Sequence, residues 1–159
     1  MWVTGHACAP YFFGCGDYPW RIQLGEFDMT DKHPKPTDAA FQNGLATRTK
    51  VVGQAYVDKA FAGASDFTLP IQHHITRAAW GDIWQREGLD LKTRSLITVA
   101  MLTALGKTQE LKAHVRGALN NGATEEELQE VLLQATIYCG VPAAVEGFRA
   151  AAEVIDGPQ

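Results

Sequence analysis

From Thr37 onward, glycines and capping residues divide the chain into short pieces, and within each piece the apolar residues recur three and four positions apart. That period is helical, and a glycine just past the last periodic residue is a common helix stop. Thr37 and Asp38 can cap a helix over 39–52, closed by Gly53. A shorter one over 55–62 ends at Gly63. Asp66 or Thr68 can open a helix that carries Pro70 in its first turn, where proline is tolerated, and runs to Arg86 before Gly88. Asp90 precedes a helix that reaches Leu105, with Gly106 beyond it. Thr108 precedes 109–120 and Gly122. Thr124 and Glu127 form a T-x-x-E capping box ahead of 128–139, and Pro142 begins a last helix to Ile155. No stretch alternates with the period of a strand. The pattern predicts an all-α bundle of about six or seven helices with short loops.

The helix over 91–105 carries Leu96, Ile97, Val99, Ala100, Met101, Leu102, Ala104 and Leu105, which cover nearly every face. A helix apolar all round is buried on all sides. In a chain of 159 residues, the expectation is a central helix that is also covered by a partner subunit.

Residues 1–36 read differently. They hold two of the three cysteines (Cys8 and Cys15), Trp2 and Trp20, and show neither period. We read them as an irregular N-terminal extension, either a poorly ordered arm or sequence upstream of a true start at Met29, with the folded domain over 37–157. The first residues lack a basic region and a clean apolar stretch, so no signal peptide is expected. No apolar run approaches the roughly 18 residues of a membrane span. A net charge of −4 argues against nucleic-acid binding, which calls for a basic face. An odd number of cysteines without C-x-x-C spacing gives neither a disulfide framework nor a zinc ribbon, and the expected compartment is the cytoplasm.

Glu110 and His114 stand four apart on one helix, so their side chains share a stripe, and Lys107 falls near it. A carboxylate beside an imidazole fixes its tautomer and raises its basicity, as a general acid–base pair requires. Spacing alone favours an ordinary helical ion pair over such a site. E-x-x-x-H supplies two metal ligands where a catalytic site needs about three, and no second motif completes the set. His73 and His74 are adjacent and point to different sides of their helix; His6 and His33 lie in the irregular segment. Ser95 lacks a G-x-S-x-G context. Cys139 reads as a buried small hydrophobe more readily than as a reactive thiol. Trp80 and Trp84, spaced i,i+4, fit core packing, a pocket wall, or both. Arg77, Arg94 and Arg116 are each able to hold a carboxylate bidentately, and none is singled out by its position.

Three strings in order, VVGQAYVDKAF…DFTLPIQHHIT, AAWGDIWQREGLDLKTRSLITVAMLTALGK and ELKAHVRGALNNGATEEELQEVLLQATIYCGVPAAVE, resemble the carboxymuconolactone decarboxylase family over 48–154. The resemblance implies an alkylhydroperoxidase D-like all-α fold and a homo-oligomer, trimer or hexamer. It also implies a cofactor-free, metal-free step of the β-ketoadipate pathway of aromatic (protocatechuate) catabolism. Peroxide-reducing members of the wider superfamily carry C-x-x-C-x-x-x-H. Here the two cysteine positions are Lys107 and Glu110, ahead of a retained His114, and the position of their relay glutamate is Ser95. Glu87 stands where the family has proline in W-x-R-P-G-L.

The implied substrate is a small dianionic lactone. Loss of CO2 from its γ-carbon sends the electron pair through the ring double bond to the lactone carbonyl, so the substrate is its own electron sink. His114 would then donate to the α-carbon or to the developing oxyanion, with Glu110 orienting it and keeping it protonated. Arg94 or Arg116, or else Lys107, would bind a carboxylate. Trp80 and Trp84 would wall the departing carboxylate off from water. The competing expectations are a thiol-dependent peroxidase using Cys139, a related lactone-processing enzyme, and a helical oligomer without catalysis.

Overall fold

The computed structural model describes residues 38–157, which belong to one compact unit, His33–Gln159. Among the described residues all regular structure is helical. Seven α-helices follow in order: α1 (Ala39–Val52), α2 (Gln54–Ala62), α3 (Leu69–Ile75), α4 (Leu91–Ala104), α5 (Thr108–Asn120), α6 (Glu125–Tyr138) and α7 (Val141–Ile155). The all-α expectation holds. The extension over 1–36, with Cys8, Cys15, Trp2, Trp20, His6 and His33, lies outside the described residues.

Several helix starts are the ones the sequence marks. The Asp38 carboxylate accepts from the Phe41 N–H at 2.9 Å and the Asp90 carboxylate from the Thr93 N–H at 2.8 Å. The capping box at α6 is reciprocal: the Thr124 hydroxyl accepts from Glu127 N–H at 3.1 Å, and the Glu127 carboxylate accepts from Thr124 N–H at 2.9 Å. Thr108, expected as a cap, is the first residue of α5, and the cap position falls to Lys107 with no side-chain bond. Neither does Thr68 cap α3.

The expected single helix from Asp66 or Thr68 to Arg86 is three pieces. After α3 the ladder widens into a π turn (Thr76–Trp80), and a 3-10 turn (Ile83–Gln85) follows Gly81. The cause is tertiary. A Cβ on Gly44 would overlap the Thr76 carbonyl oxygen, and one on Gly81 would overlap the Ala40 carbonyl oxygen. The two glycines let the backbones of α1 and the π turn touch. The Gln85 amide then donates to the Thr47 hydroxyl at 2.6 Å and to the Trp80 carbonyl at 2.8 Å. Arg77 pairs with Asp38 at 3.1 Å, so both ends of the contact are tied.

Two apolar clusters result. One joins α4 to α7 through Val99, Leu111, Val115, Leu128, Leu132 and Ala150. The other joins α1 and α2 to the π and 3-10 turns through Val51, Val52, Val57, Trp80 and Trp84. Helix α5 lies against both, since Asn120 donates to the Val51 carbonyl at 2.8 Å and a Cβ on Gly117 would meet the Val51 side chain at 2.9 Å.

Within a single chain, helix α4 buries one of its faces, and the expected cover by a partner subunit concerns the other. Ser95, Val99 and Thr103 are buried, but Ile97, Met101 and Leu105 are 38%, 58% and 67% exposed. Its outward stripe is continuous in kind with exposed Leu133, Ile137, Tyr138 and Val141. No helix among the described residues is long and apolar enough to cross a membrane.

Because backbone atoms block a side chain at Gly44, Gly44→Ala is expected to cost about 1–3 kcal/mol of unfolding free energy by urea titration. Gly88, with open space around it and no positive φ, serves as control: Gly88→Ala should stay within about 0.5 kcal/mol of the parent chain.

Candidate active site

Helix α1 places its apolar stripe through Phe41, Gly44, Arg48, Val51 and Val52. A cation therefore sits where the pattern calls for an apolar residue, and Arg48 is 3% exposed. Its guanidinium donates to the Thr76 hydroxyl at 2.9 Å and to the Gln72 side-chain oxygen at 2.9 Å, and lies 5.7 Å from the Phe61 ring centre. Both hydrogen-bond partners are neutral, and no carboxylate pairs with it among the described residues. Burial pulls the Arg48 pKa down from its ordinary value, yet a guanidinium stays charged in proteins. A buried charge without a counter-charge is costly, and a bound anion would offset that cost.

His114 lies one turn before Gly117 on α5, as Arg48 lies one turn before Val51 on α1. The Gly117–Val51 contact sets the register that brings the two side chains into one electrostatic neighbourhood. The imidazole stacks parallel to Trp80, with centroids 5.8 Å apart and an interplanar angle of 3°. It also packs on Trp84 at 6.1 Å. The two indoles are 4.4 Å apart. The spacing of Trp80 and Trp84 thus does give adjacency, by way of the π and 3-10 turns and not one helix, and both rings are buried.

Burial in this aromatic setting lowers the His114 pKa to about 4. Glu110 raises it and Arg48 lowers it further, each by charge alone. Glu110 is exposed, so its carboxylate acts through solvent and does not outweigh desolvation. The expectation that Glu110 holds His114 protonated is corrected: at neutral pH the imidazole is neutral. Its Nδ1 is buried and takes no partner among the described residues. Such an atom is a ready donor or acceptor for a bound molecule.

The other predicted residues fall elsewhere. Arg94 donates to the carbonyls of Arg86 at 3.0 Å and Leu89 at 3.5 Å and braces the loop before α4. Arg116 donates to the Val154 carbonyl on α7 at 2.7 Å, two residues and about 200° around the helix from His114. Lys107 is exposed at the start of α5. Cys139 is exposed at the end of α6, against the expectation of a buried thiol. Ser95 is buried and bonded to Asn121 at 2.9 Å. No group of three or more histidine, cysteine or carboxylate side chains among the described residues is placed to hold a metal. Arg48 is the residue that sequence reasoning missed, and its signal was present as a charge on the apolar stripe of α1.

Residues 70–153 match the model of the carboxymuconolactone decarboxylase family. This chain belongs to that family. The match contains His114 and both tryptophans, while Arg48 precedes it. Among curated relatives in sequence, 4-carboxymuconolactone decarboxylase of Acinetobacter baylyi is 42% identical over 114 residues, which are 72% of this chain and 85% of the relative. The nitrosuccinic acid decarboxylase npaB of Metarhizium robertsii is 46% identical over 106 residues, 67% of this chain and 74% of the relative.

The depressed pKa of His114 has a stability consequence. Between about pH 6.5 and 4 the unfolded chain binds a proton at this position and the folded chain does not, so stability falls as pH falls through that window. The full effect is about 3 kcal/mol at one pKa unit per 1.36 kcal/mol. His114→Gln should flatten that part of the stability–pH profile measured by urea unfolding. An unchanged slope would place the imidazole in solvent.

Proposed function

We propose that this chain is a cofactor-independent decarboxylase that converts 4-carboxymuconolactone to the β-ketoadipate enol-lactone. The observation that carries the reading is the buried Arg48, with no carboxylate partner among the described residues, near a neutral histidine that packs against two adjacent indoles. The relative named for this reaction supports it.

The substrate carries one carboxylate on the γ-carbon and another on an acetate arm. Arg48 holds a carboxylate. The reacting carboxylate faces Trp80 and Trp84, where loss of hydration favours the uncharged product CO2. As the C–C bond breaks, its electron pair passes through the ring double bond to the lactone oxygen, giving a dienolate. Neutral His114 donates a hydrogen bond to that oxygen, where a placed donor contributes about 3–4 kcal/mol. The dienolate's charge raises the proton affinity of the imidazole, which takes up a proton from solvent and delivers it to the α-carbon. Glu110 supports that rise from the surface. Lys107, on the same stripe of α5, attracts the dianion. Arg94 and Arg116, already engaged with backbone carbonyls, brace the frame in this scheme.

The fungal relative favours a second reading. Loss of CO2 from a carbon bearing a nitro group leaves a nitronate, so there too the substrate accepts the electrons. A nitrosuccinate also has two carboxylates for one buried cation. We further infer the alkylhydroperoxidase D-like arrangement, a cytoplasmic location, and a homo-oligomer, trimer or hexamer, in which the exposed stripe of Ile97, Met101 and Leu105 is covered.

Incubation with each acid, followed by CO2 release, decides between the two substrates. Turnover of neither by a folded oligomer overturns the reading. With the preferred substrate, His114→Ala should lower kcat by at least about 100-fold. Arg48→Met should lower kcat/KM by about 10- to 100-fold, the worth of a hydrogen bond to a charged group. Cys139→Ser should leave turnover unchanged, whereas a thiol peroxidase would lose its activity.

A further inference from the structure

His73 lies within the matched residues 70–153, yet the decarboxylase scheme above gives it no role. It nevertheless occupies a built environment. Its ring meets Phe41 edge-on, with centroids 5.5 Å apart at 87°, and lies 6.1 Å from Phe61. Phe41 and Phe61 are themselves 6.3 Å apart. Arg48 sits over the same Phe61 ring at 5.7 Å, and the residue next to His73, Gln72, is one of its hydrogen-bond acceptors. Thr76, the other acceptor, is three residues further along on the same side of the chain. The His73 Nδ1 is buried and has no partner among the described residues.

Two imidazoles with an unpartnered Nδ1 among the described residues thus share neighbours with Arg48. His114 packs against the two indoles and feels the Arg48 charge. His73 meets Phe41 edge-on and is tilted to Phe61, the ring that also carries the guanidinium. Packing alone does not explain a polar ring there, because a leucine or phenylalanine would fill the space without an orphaned nitrogen. A buried polar atom left unpaired is costly, and a ligand group removes that cost. The guanidinium has five donors, and two of its bonds go to Thr76 and Gln72, so it has donors left for an anion.

We propose that His73 is a specificity-determining residue which, with Arg48, binds the carboxylate that the substrate keeps. The imidazole presents its N–H to one carboxylate oxygen while the guanidinium takes the other. The arm carboxylate therefore bridges His73 and Arg48, and the scissile carboxylate lies toward His114 and the indoles. The ligand class is a dicarboxylate whose two anionic groups are separated by a small ring or short chain. This inference rests on the decarboxylase reading for the identity of the kept group, but the subsite itself is tested by binding.

The probes are the saturated lactone bearing the same two carboxylates, which has no ring double bond to accept electrons, and its arm methyl ester. Calorimetry gives the ratio of their affinities for the full chain. The parent chain should bind the diacid at least about 10-fold more tightly than the ester. In His73→Leu the ratio should fall to about threefold or less, with ester affinity unchanged. His73→Glu, whose carboxylate neutralises Arg48 from within the subsite, should abolish the preference and serves if the leucine variant does not fold. With the reactive substrate, His73→Leu should raise KM about tenfold and leave kcat within about twofold. No preference in the parent chain, or an unchanged ratio in either folded variant, overturns the proposal. Absence of turnover with a ratio that still depends on His73 overturns the decarboxylase reading and leaves the subsite standing.

Discussion

The close approach of α1 to the π turn fixes where Arg48 can be. Gly44 and Gly81 remove the only atoms that would hold the two backbones apart, and the hydroxyl of Thr76 then falls within 2.9 Å of the guanidinium. The same approach presses Trp80 inward, where it stacks on His114. The distortion of the helix after α3 is thus the geometric condition for the site. A regular helix through 76–80 would turn Trp80 to a different azimuth and take the indole off the imidazole. π turns occur frequently at functional positions for this kind of reason.

The electrostatics of the site follow from what is buried and what is not. The molecule as a whole is anionic, with a net charge of −4, so attraction for a dianion has to be local. Among the described residues the fold supplies a buried cation, Arg48, and keeps the neighbouring imidazole neutral, partly because that cation is there. A second permanent positive charge beside Arg48 would raise the desolvation cost of the empty site. A neutral imidazole avoids that cost and still offers a hydrogen bond, and it gains proton affinity only once negative charge has entered.

Much of this was legible in the sequence. The helices, three of the caps and the adjacency of Trp80 and Trp84 follow from local rules, because caps and 3.6-residue periodicity involve residues a few positions apart. His114 could be picked out for the same reason, through its spacing from Glu110. The π turn was not legible, since it answers to Gly44, which is 32 residues before Thr76 in the chain. The state of His114 was misread because its spacing shows Glu110 as a partner but not Trp80 and Trp84 as walls. Arg48 was readable in principle as a charge on an apolar stripe. That His73 and Arg48 share the Phe61 ring needed the tertiary structure.

The division of the apolar interior into two clusters has a bearing on how the molecule comes apart. The α4–α7 cluster is made by consecutive helices with short connections, so its contacts are local in sequence. The α1 contacts to α5 span 69 residues in the Asn120–Val51 bond. Contacts that close long loops form late and carry the larger entropic cost. His114 packs against the indoles of the second cluster, and Arg48 lies on α1, which contributes Val51 and Val52 to that cluster. Opening α1–α3 as a unit would therefore dismantle the site while the four-helix remainder stayed packed. An anion bound at the proposed site, between Arg48 and the two histidines, would act against that opening and hold the N-terminal half of the described fold onto the rest.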